Sequence, residues 1–310
     1  MDIRKIDALE LLKSLDDKSV DMILTDPPYY KLLDIEWDKQ WDTKDKYLEW
    51  LEIIIIECKR VLKTTGSFYM FASCEMSWYV EGLIRKHFNV LNHIRWANKE
   101  SYAKKSCKEK LRRFINNSEE IIFSEPLESK NIFYNHCSDT DGKNFYSIIK
   151  YLNDLRLEAH LSMKKCNEIC NNQMATHYFT TSQWRLPTEI NYNKLKKYIE
   201  NLKDYKIIIK EYNELQKEYL TLRRTFNLNK DIQYNNTWNF KGTKTDKDRH
   251  KCEKPENIIS HIINVSTNEN DLVIDMFAGS GSISKCCFKL NRRCIACDID
   301  DTFFKNLNLI

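Results

Sequence analysis

Two short stretches of the chain concentrate the residue types that could do chemistry. Of five prolines, two stand side by side in Asp26-Pro27-Pro28-Tyr29, and of six glycines, two fall in Phe277-Ala278-Gly279-Ser280-Gly281. The first stretch suits an exocyclic amino group on a nucleobase. Such an amine is a poor nucleophile because its lone pair is delocalised into the ring. A carboxylate and a backbone carbonyl, each accepting one of its N–H bonds, would rehybridise and aim it. The proline pair fixes where that carbonyl points, and Tyr29 offers a flat face to an unstacked base. The second stretch suits a nucleoside cofactor. Glycines let the backbone approach a ligand, and the helix start that follows presents N–H groups to an anion. About twenty residues on, Asp298 ends another strand, where an acid can take ribose hydroxyls.

These residues need elements to position them. Val20–Thr25 reads as a buried strand that stops where proline cannot continue it. A helix is predicted over Tyr47–Leu62, ended by Thr64-Thr65-Gly66, then a strand at Ser67–Ala72 and a helix at Ser77–His87. Ile94–Ala97 and Glu120–Ser124 are predicted as further strands. At the far end come a helix over Glu256–Val265, a strand at Leu272–Met276, a helix at Ser282–Leu290 and a strand at Cys294–Cys297. This alternation predicts an α/β fold, an open sheet with helices on both faces. Both chemical stretches then lie at strand carboxyl ends, where such sheets bind ligands. From Asn144 to about Phe226 the pattern is helical. A seam through Leu195, Tyr198, Leu202, Tyr205, Ile209, Tyr212, Tyr219 and Leu222 is expected to pack within the chain.

Composition narrows the class without naming a function. The chain has 310 residues, 49 basic and 45 acidic, and a formal charge of +4, but the basic residues cluster. Met1–Lys13 lacks an apolar stretch, and the longest aliphatic run, Ile53–Ile56, is too short to span a bilayer. A soluble, cytoplasmic protein with no membrane association is therefore expected, its eleven cysteines reduced. Cys294-x-x-Cys297 lacks a second pair and lies on a predicted strand, and the seven histidines show no ligand spacing, so no metal is expected. No proline is followed by cysteine, which removes the thiolate nucleophile of cytosine-C5 methylation.

The order and wording of the motifs resemble the β-class amino-methyltransferases of DNA, a circularly permuted group with the catalytic turn first and the cofactor glycines last. The resemblance covers nearly the whole chain. It implies a permuted Rossmann-like sheet, S-adenosyl-L-methionine as cofactor, double-stranded DNA as substrate and adenine N6 as target. Asp26, Pro27, Pro28 and Tyr29 would hold the flipped base. Asp275, Phe277, Gly279, Ser280 and Gly281 would line the cofactor pocket, with Asp298 on the ribose and Asp7-Ala8 near the cofactor adenine. His250-x-x-x-Lys254-Pro255 resembles the family's box before the glycine strand and adds Lys254 to the cofactor residues. Trp96, Glu119 and Ile121–Phe123 resemble the edge strands near the base. Met276 and Ser282 depart from the common proline and threonine. The termini should meet in one sheet, Ile3–Ile6 beside Cys294–Cys297.

The middle of the chain has its own resemblance, to a phage-repressor helix-turn-helix. Tyr151–His160, Ser162–Cys170, Met174–Trp184 and a segment after Leu186-Pro187-Thr188 would be its helices, with Gln173, His177, Gln183 and Arg185 facing base edges. Basic loops carrying Lys104, Lys105, Lys108, Arg112 and Arg113 would meet phosphates. The division expected is a catalytic half at 1–130, a target-recognition insertion at 131–240 and a cofactor half at 241–310. Cytosine-N4 methylation uses the same fold, although serine usually opens the catalytic turn there. A DNA-binding protein with a decayed methyltransferase fold is the non-enzymatic alternative. A cognate restriction endonuclease is an optional partner, and a monomer or homodimer would each fit.

Overall fold

A computed structural model describes residues 1–30, 40–97, 112, 114, 116–126, 145–202, 208–228, 235–240 and 253–300. The chain divides into two compact units, Met1–Ile132 with Thr225–Ile310, and Phe133–Arg224.

Among the described residues, the first unit is built on an eight-stranded sheet. In chain order its strands are β1 (Asp2–Lys5), β2 (Val20–Thr25), β3 (Leu62–Ser73), β4 (Phe88–Ala97), β5 (Ser118–Pro126), β6 (Thr237–Trp238), β7 (Leu272–Asp275) and β8 (Arg293–Asp298). Across the sheet they run β1-β8-β7-β2-β3-β5-β4-β6. The five strands from β1 to β3 are mutually parallel, whereas β5 is antiparallel to both neighbours. As predicted, the first and last of these strands are neighbours: Ile3 pairs with Ala296 and Lys5 with Asp298.

Alternation along the central strands serves two cores. Ile23, Phe68 and Met70 face α1 (Ala8–Lys13), α2 (Lys44–Val61) and α3 (Ser77–His87). Met22, Leu24, Tyr69 and Phe71 face α8 (Glu256–Ser266) and α9 (Ser282–Lys289). Leu51, Ile54, Ile55 and Cys58 follow helical spacing and bury the inner stripe of α2. That helix starts earlier than its periodicity suggests, because Thr43 caps it by accepting the Lys46 N–H. Nor do Thr64, Thr65 and Gly66 form a terminating loop. They lie on β3, where the pairing with β2 slips between Val20 and Met22.

The second unit has a separate core. It comprises α4 (Tyr146–Glu158), α5 (Met163–Cys170), a 3₁₀ turn at Ala175–Tyr178, α6 (Glu189–Glu200) and α7 (Tyr212–Leu222). Ser162 and Thr188 cap α5 and α6, and Glu211 with Glu214 forms a capping box on α7. Cys166 and Cys170 face inward, as does much of the predicted aromatic seam. The seam is not one helix, since α6 stops at Glu200 and α7 begins at Tyr212; Tyr205 lies outside the described residues.

Two sequence expectations fail here. Met174–Trp184 is not a helix beyond its four-residue 3₁₀ turn. Tyr178, Phe179 and Trp184 are all drawn into the core, the Trp184 indole N–H donates to the Tyr178 carbonyl, and Gln183 takes a left-handed φ of 53°. The helix-turn-helix therefore lacks its recognition helix. The inserted unit also ends at Arg224 rather than residue 240. Phe226 stacks on Phe123, the Asn227 N–H reaches the Val265 carbonyl, and β6 pairs beside β4. No described helix is long and apolar enough to cross a membrane.

Candidate active site

Four parallel strands, β1, β2, β7 and β8, end at a cavity of about 220 Å³. Its walls include Asp7 and Ala8, the Asp26–Tyr29 turn, Lys254, residues Asp275 to Ser280, and Asp298. The turn and the glycine loop, some 250 residues apart in sequence, thus face one space.

The Asp26 carboxylate is held from two sides. The Tyr29 hydroxyl donates to its Oδ1 at 2.6 Å, and Lys254 Nζ donates to its Oδ2 at 2.6 Å. Lys254 also meets Glu119 Oε2 at 3.2 Å, and its side chain is only 7% exposed. The rings of Tyr29 and Phe71 flank the ammonium at 5.2 and 5.1 Å. Pro255, the residue after Lys254, occupies the N-cap position of α8 in extended backbone, so its fixed φ sets where the chain passes from the lysine into the helix.

The glycine loop is shaped by its backbone. Gly279 and Gly281 have φ of 48° and 72°, the left-handed region that a Cβ disfavours, and Gly281 caps α9. The Gly279 N–H donates to Asp298 Oδ2 at 2.8 Å, so the acid at the end of β8 braces the loop. Ser280 and Ser282 share a hydroxyl contact, and Ser282 donates to Glu253. Asp275 is buried, accepting the Phe277 N–H at Oδ1, while Oδ2 has no hydrogen-bond partner among the described residues. Burial holds its carboxyl well above the usual carboxylate range. A buried carboxyl oxygen without a partner at a cavity wall is a socket for a polar group of a ligand.

A family model described as DNA methylase, covering N6 and N4 methyltransferases, matches residues 20–308. The chain belongs to the DNA methylase family. Among its relatives, DNA adenine methyltransferase YhdJ of Escherichia coli (strain K12) is 22% identical over 302 residues, covering 96% of this chain and 78% of YhdJ. Type II methyltransferase M1.MboII of Moraxella bovis is 23% identical over 311 residues, covering 99% and 95%. The solved M1.HpyAVI–SAM complex shares the fold at a TM-score of 0.54 and 18% identity, covering 99% of this chain and 98% of that one.

Within this DNA methylase, the sequence-predicted residues distribute unevenly. Asp26, Pro27, Pro28, Tyr29, Asp7, Ala8, Lys254, Asp275, Phe277, Gly279, Ser280 and Asp298 all line the cavity. Gly281 stands directly behind them, at the start of α9. Asp7 has a second task, capping α1 by accepting the Leu9 and Glu10 N–H groups. Lys254 is bonded to the Asp26–Tyr29 turn, a partner its motif did not suggest. Of the basic loop, exposed Arg112 is described, and Lys104, Lys105, Lys108 and Arg113 lie outside the described residues. Gln173, Gln183 and Arg185 are exposed and His177 is half-buried, all in the second unit. Trp50 and Glu253 were missed. Trp50 reaches the cavity from α2 and packs on Phe277 at 5.8 Å, a role foreshadowed only by its helical spacing from Tyr47.

Proposed function

We propose that this DNA methylase transfers the methyl group of S-adenosylmethionine to N6 of an adenine turned out of double-stranded DNA. One observation carries the reading: the Asp26–Tyr29 turn and the glycine loop line the same cavity. The loop's left-handed glycines, the unpartnered Asp275 oxygen and the Asp298 carboxylate fit a ligand with donors and a nucleoside part. When bound, S-adenosylmethionine supplies an electrophilic methyl carbon whose bond to sulfur breaks with its electron pair going to sulfur.

The chain's own residues prepare the nucleophile. Asp26 accepts one N–H of the adenine amine and the Pro27 carbonyl the other, which directs the nitrogen lone pair along the line of attack. Tyr29, tied to Asp26 by its hydroxyl, supports the base by its ring. Once the N–C bond has formed, the surplus proton on nitrogen leaves to water. The turn-first, loop-last order supports assignment to the permuted β-class. Adenine is favoured by Asp26 and by the named activity of YhdJ. Cytosine N4 is the second reading, because the matching family model spans both. The type II label of M1.MboII supports a restriction endonuclease partner with the same target. We assign sequence reading to the inserted unit, Phe133–Arg224.

The test is expression in a host lacking DNA methylation, followed by modification-sensitive sequencing. N6-methyladenine within one recurring sequence is expected. Methylcytosine there would move the assignment to N4, and unmodified DNA with intact cofactor binding would support a decayed enzyme.

A further inference from the structure

The buried ammonium of Lys254 sits on the carboxylate assigned to the target amine rather than simply lining the cofactor side. Taking a lysine out of water costs free energy, and a buried ion pair repays it only with good geometry. Here the geometry is good: 2.6 Å to Asp26 Oδ2, 3.2 Å to Glu119 Oε2, and two aromatic faces beside it. Net stability is a weak reason for such an arrangement, because apolar residues often fill such space as well. Its chemical consequence is more specific. Asp26 Oδ2 and Lys254 Nζ place a strong acceptor and a strong donor side by side at the wall of the cavity.

We propose that Lys254 reads the target base, donating to adenine N1 while Asp26 accepts from N6. The inference rests on the adenine-methylating function proposed above. Adenine presents an amine donor next to a ring-nitrogen acceptor on its Watson–Crick edge, matching the acceptor–donor order of the pair. Guanine and thymine present a carbonyl next to a ring N–H, the reverse order. Either would set carbonyl against carboxylate and N–H against the buried ammonium. Cytosine has adenine's order, so this contact selects amino bases and leaves the choice between adenine and cytosine to ring size. Glu119, which does not line the cavity, is then a positioning residue that holds Nζ beside Asp26.

The experiment uses the full chain and duplexes carrying its own target site, with adenine, 1-deazaadenine or 7-deazaadenine at the target position. Replacing N1 by C–H removes the acceptor. Single-turnover methyl transfer is measured at saturating S-adenosylmethionine, alongside direct cofactor titration. Wild type should lose roughly 10- to 100-fold on 1-deazaadenine relative to 7-deazaadenine, the range for one hydrogen bond from a charged donor. Lys254→Met should lose a similar factor on adenine yet no longer distinguish the two analogues, with cofactor affinity within about threefold. Lys254→Gln, which keeps an N–H donor, should recover part of the discrimination. Because any change in amine reactivity on removing N1 is shared by all variants, it cancels in the comparison. Equal discrimination by wild type and Lys254→Met would overturn the proposal. So would the absence of discrimination by wild type, even if the variants failed to fold. A fall in cofactor affinity matching the fall in transfer would return Lys254 to the cofactor. If wild type methylates no adenine at all, the function itself fails before this comparison begins.

Discussion

The proposed reaction assigns Asp26 to the base and Gly279 to the cofactor, so their substitutions should fail differently. Asp26→Ala removes the acceptor for the amine, and transfer should drop at least 100- to 1000-fold, the usual loss for one preorganised polar partner. Cofactor affinity should stay within about threefold. Gly279→Val forces a β-branched residue to a φ of 48° and should abolish cofactor binding. Isothermal titration with S-adenosylhomocysteine beside methyl-transfer rates separates the two; matching losses of cofactor binding would show the roles misassigned. Asp275 gives a prediction about stability. Its folded pKa is raised by burial, so its contribution is complete below the unfolded value near 3.8 and is lost as pH rises through the raised one. Asp275→Asn should therefore melt higher than wild type at neutral and alkaline pH. It should also gain less from added cofactor, because the orphaned carboxyl oxygen is gone. A variant that melts lower at pH 8 would contradict this. The prolines and glycines of the site were legible because their types are rare in this chain and stand at strand ends, and Asp26 because it opens the proline pair. The partners of Lys254 were not, since Asp26 lies 228 residues away and only the folded sheet brings them together.

Among the elements, the outer strands hold a charge cluster that no motif announced. His93 on β4 lies between Glu81 of α3 and Glu120 of β5, with Arg95 also on Glu120. Hydrogen bonding to Glu120 and then Glu81 raises the His93 pKa from 6.5 against the opposing effect of burial. Burial pushes both glutamates up, but His93 and the nearby arginines outweigh it and leave them below 4.5. The signs then define a window. His93 stabilises fully below pH 6.5 and progressively less as pH climbs through its raised value. The glutamates stabilise above 4.5 and less as pH falls through their lowered values. His93→Gln should flatten the loss of melting temperature above pH 6.5 while leaving cofactor affinity unchanged; a wild-type melting curve already flat from pH 6 to 9 would refute the cluster. Element identity was largely readable from sequence: α3 matches its predicted bounds, and β7, α8, α9 and β8 fall within a residue or two. Where periodicity misled, packing decided. Three aromatics in Met174–Trp184 are pulled inward and replace a predicted helix with an irregular path.

At the scale of the molecule, the proposed reading divides DNA recognition between phosphate and base. Neutralising Lys104, Lys105 and Lys108 should weaken binding to every duplex alike, lowering the salt slope by roughly 0.9 for each phosphate left without its lysine. Replacing Gln183 or Arg185 should cost about 1–3 kcal/mol on the cognate site alone. Titrations on cognate and scrambled duplexes at several salt concentrations distinguish these outcomes. Because Gln183 stands on irregular backbone, reading there would come from a loop rather than a groove-filling helix. Equal losses on both duplexes would place specificity outside the second unit. The sheet order carries a last consequence, for biosynthesis. In β1-β8-β7-β2, the two strands made last wedge between the two made first. A nascent chain that has not yet made β7 and β8 should therefore lack the two strands that separate β1 from β2, and the cavity at their ends should form only once β8 has cleared the exit tunnel. Chains arrested before residue 272 should leave β1 and α1 open to protease, and release of the full chain should close them in one late step.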